Sequence, residues 1–441
     1  MTWRTGLNSL FVYPETPASF WSFKDALKFV AKKAPEPPLG LITVAAMLPQ
    51  KWEKKLVDLN VSKLEDRQIL WADYVFLSGM NIQINSFKEV IRRCNKLGVK
   101  IVVGGPLATT QHKDFLGVDH FILNEAEITL PLFLKDLKNG NPKPVYASDE
   151  FPEITSSPVP MWELLEIKKY AGMSMQYSRG CPYDCDFCVV PKIRPGYLKR
   201  PIKEVITEIK QLKARLILFL DSSPIEDKVY IKELYRQLIP LKIKWMGLAT
   251  TKINEDEELL DLAVQSGCSG LLIGFESVSQ KSLDGIKKRH NSIEKYEKII
   301  ETLHSKNIAI MGCFVFGLEN DDKSCFKETV DFIIRTGIDL PRFTVYTPYP
   351  GTYGFDKMKK DKRILSEDWS KYDCQNIIFK PKNMTIDELQ KGHLYAWKEC
   401  YSIKNIIKRM LKSKARPLTN LVANIGYKKY AAELIKNRGK S

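Results

Sequence analysis

Over the first 145 residues, short apolar runs alternate with amphipathic stretches. The runs at 9–13, 55–59, 74–78, 100–104 and 120–123 are continuous rather than alternating. That pattern predicts parallel strands buried on both faces. Between the third and fourth runs, Phe87, Val90, Ile91, Cys94 and Leu97 recur at helical spacing. Ser86 and Glu89 form a capping box before them, and Gly98 stands where the helix should stop. Strand–helix alternation implies right-handed crossovers and a doubly wound, Rossmann-like α/β sheet. Ligands of such sheets bind beyond the carboxyl ends of the strands, where this chain has Ser78-Gly79-Met80, Gly104-Gly105-Pro106 and Asn124-Glu125-Ala126-Glu127. Glycine there lets backbone approach a ligand closely, and ordinary turn chemistry is the competing reading. No G-x-G-x-x-G occurs, so a dinucleotide is not favoured.

Pro142, Pro144, Pro152, Pro158 and Pro160 mark an interdomain linker. A second series follows, with strands expected at 173–178, 215–221, 245–250, 270–276, 309–317 and 343–348. Helical patterns at 202–212, 228–238, 256–265 and 326–335 lie between them. Six such units predict a partial (β/α)6 barrel of TIM type, whose sites sit at the carboxyl strand ends. Asp221-Ser222-Ser223, Glu276-Ser277 and Thr347-Pro348-Tyr349-Pro350 fall at those ends. The expected organisation is therefore a Rossmann-like domain over 1–145, a linker over 146–170, the partial barrel over 171–372 and a helical extension over 373–441. Thr385 and Glu388 form a capping box within that extension.

Composition narrows the class. A chain of 441 residues with 44% hydrophobic side chains is neither disordered nor fibrous. No apolar run approaches the length of a membrane span, and the amino terminus lacks the pattern of a signal peptide, so a cytoplasmic protein is expected. The net charge of +16 is unevenly placed: residues 402–441 hold eleven Lys or Arg against one acid, Glu433. This predicts a basic docking surface at one end rather than a nucleic-acid cleft. Ile403, Ile406, Ile407, Met410 and Leu411, then Leu418, Leu421, Val422 and Ile425 after Pro417, add an apolar stripe. Such a stripe suits a helix lying on an anionic membrane. A terminal helix pair with a solvated basic face is the plainer alternative, and an acidic electron-donor protein would be attracted by the same charge.

Nine cysteines are uneven too. Cys181, Cys185 and Cys188 follow the first barrel strand as C-x-x-x-C-x-x-C, a spacing that lets one loop converge on an iron–sulfur cluster. Structural zinc would want a fourth Cys or His, and none lies near this loop.

With Phe187 as the aromatic before its last cysteine, this loop resembles the signature of the radical S-adenosylmethionine (radical SAM) superfamily. The resemblance continues through Gly274-Phe275-Glu276-Ser277, Gly312-Cys313-Phe314-Val315-Phe316-Gly317 and Pro348-Tyr349-Pro350-Gly351-Thr352. The amino-terminal half is similar to the cobalamin-binding domain of one large subgroup, at Leu77-Ser78-Gly79-Met80, Val103-Gly104-Gly105-Pro106 and Asn124-Glu125-Ala126-Glu127. Residues 13–15 through 38–41 also look typical of hopanoid C-methylases and their relatives.

The resemblance implies three cofactors: a 4Fe–4S cluster, S-adenosylmethionine (SAM) and cobalamin. It implies that Cys181, Cys185 and Cys188 hold three irons beside Phe187, and that the fourth iron takes SAM. Asp221, Ser222 and Ser223 would meet the methionine amino group, Glu276 and Ser277 the ribose or methionine end, and the backbone at 313–315, Val315 included, the adenine. Ser78, Gly79, Gly104, Gly105, Pro106, Asn124 and Glu125 would hold cobalamin. Relatives often carry Asp-Asp-Asn where this chain has Asp221-Ser222-Ser223. The D-x-H-x-x-G motif that gives cobalamin an axial His elsewhere is absent, since Asp119-His120 is followed by Phe-Ile-Leu-Asn. No His is therefore assigned to metal, and no general acid or base stands out.

The implied activity is C-methylation of an unactivated carbon on an apolar or lipid-like small molecule. A low-potential ferredoxin or flavodoxin would supply electrons, and no nucleic acid would be involved. Cyclisation or rearrangement with the same cofactors is the alternative. A tRNA methylthiotransferase would need three amino-terminal cysteines, and this half has only Cys94.

Overall fold

The computed structural model describes residues 6–17, 19, 22, 24–212 and 214–438. They divide into two compact units, one of residues 6–17 and 33–170, the other of residues 19, 22, 24–32, 171–212 and 214–438.

In the first unit, β1 (Asn8–Tyr13), β2 (Glu53–Asp58), β3 (Tyr74–Ser78), β4 (Lys100–Gly104), β5 (His120–Ile122) and β6 (Val145–Tyr146) form one parallel sheet in the order 2-1-3-4-5-6. The apolar runs of β1, β3 and β4 are buried as expected, with Leu10, Phe11, Val12, Val75, Ile101 and Val103 showing no exposure, whereas β2 lies at the sheet edge and exposes Glu53 and Lys55. Phe11, Tyr74, Phe76, Val102 and Phe133 build one face of the core. The strand order reverses between β1 and β3, where doubly wound sheets open a ligand crevice at their carboxyl ends.

Two local expectations change. The helix Ile84–Leu97 does end at Gly98, whose φ is +68° and whose N–H reaches the carbonyls of Cys94 and Asn95. It starts earlier than Ser86, however, because a 3-10 turn over Asn81–Gln83 leads straight into it. Ser86 Oγ instead accepts the backbone N–H of Glu15 at 2.9 Å. The stretch 146–170 is not a free linker. The amide of Phe121 donates to Pro144 O and that of Leu123 to Tyr146 O, which adds β6 to the sheet inside the proline-rich stretch. Trp162 is buried, and the Tyr170 hydroxyl donates to Asp58 Oδ2 at 2.9 Å.

In the second unit, β7 (Met173–Met175), β10 (Leu216–Phe219), β11 (Lys244–Ala249), β12 (Cys268–Glu276), β13 (Ala309–Phe316) and β14 (Arg342–Val345) are all parallel, each beside its neighbour in sequence. This is the expected six-stranded partial barrel, with helices at Ile202–Leu212, Lys228–Leu238, Glu257–Gln265, Ile293–Ser305 and Ser324–Thr336. Asp227 and Asp256 start two of them by accepting the amides of Tyr230 and Leu259. Between β7 and β10 the chain makes an antiparallel hairpin, β8 (Ser178–Gly180) with β9 (Tyr197–Lys199). Helices Ile386–Cys400, Ile403–Ser413 and Pro417–Arg438 close the chain, the first opened by the expected Thr385/Glu388 capping box. Among the described residues no helix is long and apolar enough to cross a membrane.

Candidate active site

The cysteine loop hangs from the hairpin β8–β9. Gly180 starts it with φ +87°, and a Cβ there would stand 2.2 Å from Gly196 O, so only glycine lets the loop close. Its base is clamped by Asp221, just beyond β10. One oxygen, Asp221 Oδ1, accepts the Tyr177 amide (2.9 Å), the Ser178 amide (2.5 Å) and the Ser178 hydroxyl (2.7 Å). Asp221 is wholly buried, and burial pushes its pKa up to about 7 against the pull of these hydrogen bonds. Further along, Tyr183 donates to Glu226 Oε2 at 2.8 Å, and the amide of Asp186 donates to Ile286 O at 3.1 Å. Cys181, Cys185 and Cys188 are all half-buried free thiols. Burial raises the Cys185 pKa to about 12 and raises that of Cys188 as well. Thiolates so placed need a compensating positive charge, which iron coordination supplies.

Part of that charge already stands beside the loop. At the end of β12, Glu276 has φ +62° at an irregularity in the pairing with β13. Its Oε1 meets Lys288 Nζ at 2.6 Å, with both side chains nearly buried. Lys288 Nζ also lies 5.9 Å from the Phe187 ring centre. Burial opposes its ammonium, but Glu276 and the thiolate forms of Cys185 and Cys188 outweigh burial and raise its pKa. A Cβ at residue 274 would lie 2.3 Å from Glu276 Oε1 and 2.8 Å from Lys288 Nζ, so Gly274 makes room for the pair. Asn291 Nδ2 donates to the carbonyls of Gly274 and Phe275 and fixes the strand end. Ser277 is largely buried, and its Oγ accepts the amide of Ser279 at 3.1 Å. Val315 is half-buried on β13, in register with Thr344.

In the first unit, Ser78-Gly79 and Gly104-Gly105-Pro106 come together at the ends of β3 and β4. The amide of Leu107 donates to Gly79 O at 3.2 Å. Gly105 has φ +83°, and a Cβ there would fall 2.2 Å from Ser78 Oγ; at Gly104 it would meet Ile122 O at 2.9 Å. Both glycines are thus demanded by the protein's own packing, not by open space for a ligand. Asn124, at φ +62°, spends its amide: its N–H donates to Thr109 Oγ1 and its Nδ2 to Ser148 O. Glu125 is half-buried at the start of the helix Ala126–Lys138. His120 lies at the other end of the sheet, its Nδ1 2.7 Å from Lys143 O and its ring near Tyr74 and Phe133.

Sequence comparison assigns both units. Residues 175–333 match the model of the radical SAM superfamily, and residues 31–134 match the B12 binding domain. A protein of Synechocystis sp. named as an uncharacterized methyltransferase is 30% identical over 90% of this chain and 76% of its own length. The chain belongs to the cobalamin-dependent radical SAM methyltransferases. Other similar members are the bacteriochlorophyllide d C-12(1)-methyltransferase of Chlorobaculum tepidum and the hopanoid C-2 methylase of Rhodopseudomonas palustris. The first is 28% identical over 85% of this chain and 84% of its own. The second is 26% identical over 83% and 72%. The fold is shared with the radical SAM methyltransferase TsrM of Kitasatospora setae, at TM-score 0.67 and 13% identity, covering 98% of this chain and 100% of that one.

As a member of this family the chain works with a 4Fe–4S cluster, SAM and cobalamin, needs a reductant and acts on a small molecule. By residue type the loop suits the cluster, with three thiols, no disulfide and an ammonium alongside, although among the described residues no three His, Cys, Asp or Glu side chains are gathered closely enough to hold a metal ion. At 221–223, where the SAM contact is expected, two of the three side chains pack inward. Asp221 and Ser223 are fully buried, and Ser223 Oγ donates to Glu226 Oε1 at 2.8 Å. Only Ser222 is exposed. Lys288 is not legible as a site residue in the sequence, where Lys287-Lys288-Arg289 looks like an ordinary surface run. Its one signal is its place, twelve residues beyond Glu276 on the same strand–helix connection.

Proposed function

We propose that Cys181, Cys185 and Cys188 carry the cluster and that this methyltransferase acts on an unactivated carbon of an apolar, lipid-like molecule. The observation that carries the cluster assignment is the set of three half-buried thiols beside Lys288, with no fourth protein ligand close by in sequence. When bound, the cluster and SAM supply one-electron chemistry able to remove hydrogen from such a carbon, and cobalamin supplies the methyl group.

The chain's own residues set the stage. Asp221 holds the loop base. Lys288 offers its charge to the loop thiols, and Ser222, Glu276, Ser277 and the Val315 backbone offer polar atoms and a strand edge for SAM. Ser78, Gly79, Gly104, Gly105, Pro106, Asn124 and Glu125 shape the strand-end crevice for cobalamin, with no His assigned to cobalt. Relatives named for a hopanoid and a bacteriochlorophyllide support the substrate class. The net charge of +16 favours a small acidic ferredoxin or flavodoxin as donor. The basic tail favours work as a peripheral protein at an anionic membrane.

The test is anaerobic reconstitution, then incubation with SAM, reductant and native lipid extract, with products read by mass spectrometry. The expected product is a lipid that carries one methyl group in place of hydrogen. A product that only loses hydrogens would replace methyl transfer by cyclisation.

A further inference from the structure

The last two helices bury polar side chains and expose apolar ones. The helix Ile403–Ser413 buries Asn405, Arg409 and Ser413 with Ile406, while Ile403, Ile407 and Leu411 are exposed, Leu411 to 69%. The helix Pro417–Arg438 buries Asn420 and Asn424 and exposes Leu418, Leu421 and Ile425, Leu418 to 80%. Hydrogen bonding fixes this orientation. The wholly buried Arg409 guanidinium donates to the carbonyls of Ile338 (3.0 Å), Asp339 (2.5 Å) and Cys400 (2.9 Å) and to Asn424 Oδ1 (2.8 Å). Asp339 Oδ1 accepts Ser413 Oγ at 2.5 Å and Asn420 Nδ2 at 2.6 Å. Rolling either helix to hide its aliphatic row would strand these groups without partners.

Charge lies alongside the apolar rows. Lys404, Lys408 and Lys412 repeat at the same four-residue interval as Ile403, Ile407 and Leu411, one position on, and the helix contains no acid. All three, and Lys414 after them, are exposed, with no ion-pair partner among the described residues. The short helix Lys24–Leu27 packs on the helix Pro417–Arg438, and the turn after it exposes Phe29 and Val30.

We infer that this face, Ile403, Ile407 and Leu411 with Leu418, Leu421 and Ile425, is a docking surface for an anionic lipid bilayer. The inference rests on, and locates, the membrane contact proposed above. Aliphatic side chains on convex helices can enter the acyl boundary while lysine stems carry ammonium groups back to the phosphates. A protein partner would be met instead by aromatic or arginine anchors set in packed pockets, and these two helical rows have neither.

Flotation of the full chain with phosphatidylcholine vesicles, alone and in an equimolar mixture with phosphatidylglycerol, tests it. Binding should be at least about tenfold stronger to the anionic vesicles and should weaken with salt. Two variants should each lose at least about tenfold: Ile407→Asn with Leu411→Asn, and Lys404→Glu with Lys408→Glu and Lys412→Glu. Val229→Asn, which removes an equally exposed side chain on another helix (82% exposed), should bind like the wild type. Wild type that stays unbound with both vesicles would overturn both the face and the membrane contact. Variants that bind as wild type does would overturn the face alone. Loss of self-association in the variants, with no vesicle binding by the wild type, would assign the face to a second copy and overturn the lipid inference. None of these readouts involves the methylated substrate, so the chemistry is tested separately.

Discussion

Cys181, Cys185 and Cys188 carry a direct test. Replacing all three by Ala should abolish iron and sulfide incorporation while far-UV circular dichroism is unchanged. A variant that still holds a full cluster would end the assignment. Lys288 carries a second. An ammonium close to a cluster favours its reduced form, so Lys288→Met should lower the midpoint potential by on the order of tens of millivolts, read by EPR-monitored titration. Lys288→Arg should largely restore it. Asp221 carries a third, in the apoprotein. Its folded pKa, about 7, is raised above the ordinary carboxylate value. The native state therefore holds a proton that the unfolded chain gives up near pH 4. Folding stability from this group is fully present below about pH 4 and falls as pH rises towards about 7. Asp221→Asn keeps the oxygen that accepts Tyr177 and Ser178 but cannot ionise. Its Tm should exceed the wild type's increasingly from pH 5 to 7, and parallel profiles would refute the assignment.

At the scale of elements, the glycines separate into two kinds. Gly98 caps a helix at φ +68° with nothing near the position of a Cβ, so Gly98→Ala should cost about 1 kcal/mol. Gly105 combines φ +83° with a Cβ position 2.2 Å from Ser78 Oγ. Gly105→Ala should therefore cost ~3 kcal/mol or more in urea denaturation, through clash as well as strain. Equal losses at the two sites would show that the close approach of β3 and β4 is not structural. The tail helices are bound to the barrel by Arg409 and Asp339, so a chain cut after Tyr401 would leave Asp339 Oδ1 without its buried donors, Ser413 and Asn420. For that reason surface substitutions, not truncation, test the lipid face.

For the whole molecule, the sequence alone determined the two α/β units, the parallel runs of strands, the cysteine loop and the basic end. Each depends on local information: apolar periodicity, proline and glycine positions, cysteine spacing and charge counts. Tertiary structure decided the rest. β6 is two residues long and lies among prolines, so only its pairing with β5 reveals it. Residues 24–32 join the second unit although they lie within the first in sequence. Asp221 stands at a strand end, and its carboxylate faces inward to the backbone of Tyr177 and Ser178, partnerships across 44 and 43 residues that no spacing announces. Lys288 and Arg409 look like surface cations until Glu276 in one case and the carbonyls around Asp339 in the other draw them inward. The same burial of polar groups turned the aliphatic rows of the last helices outward. Periodicity marks two faces of a helix, but which face meets the core is settled by what the core offers, and here it offered hydrogen-bond partners.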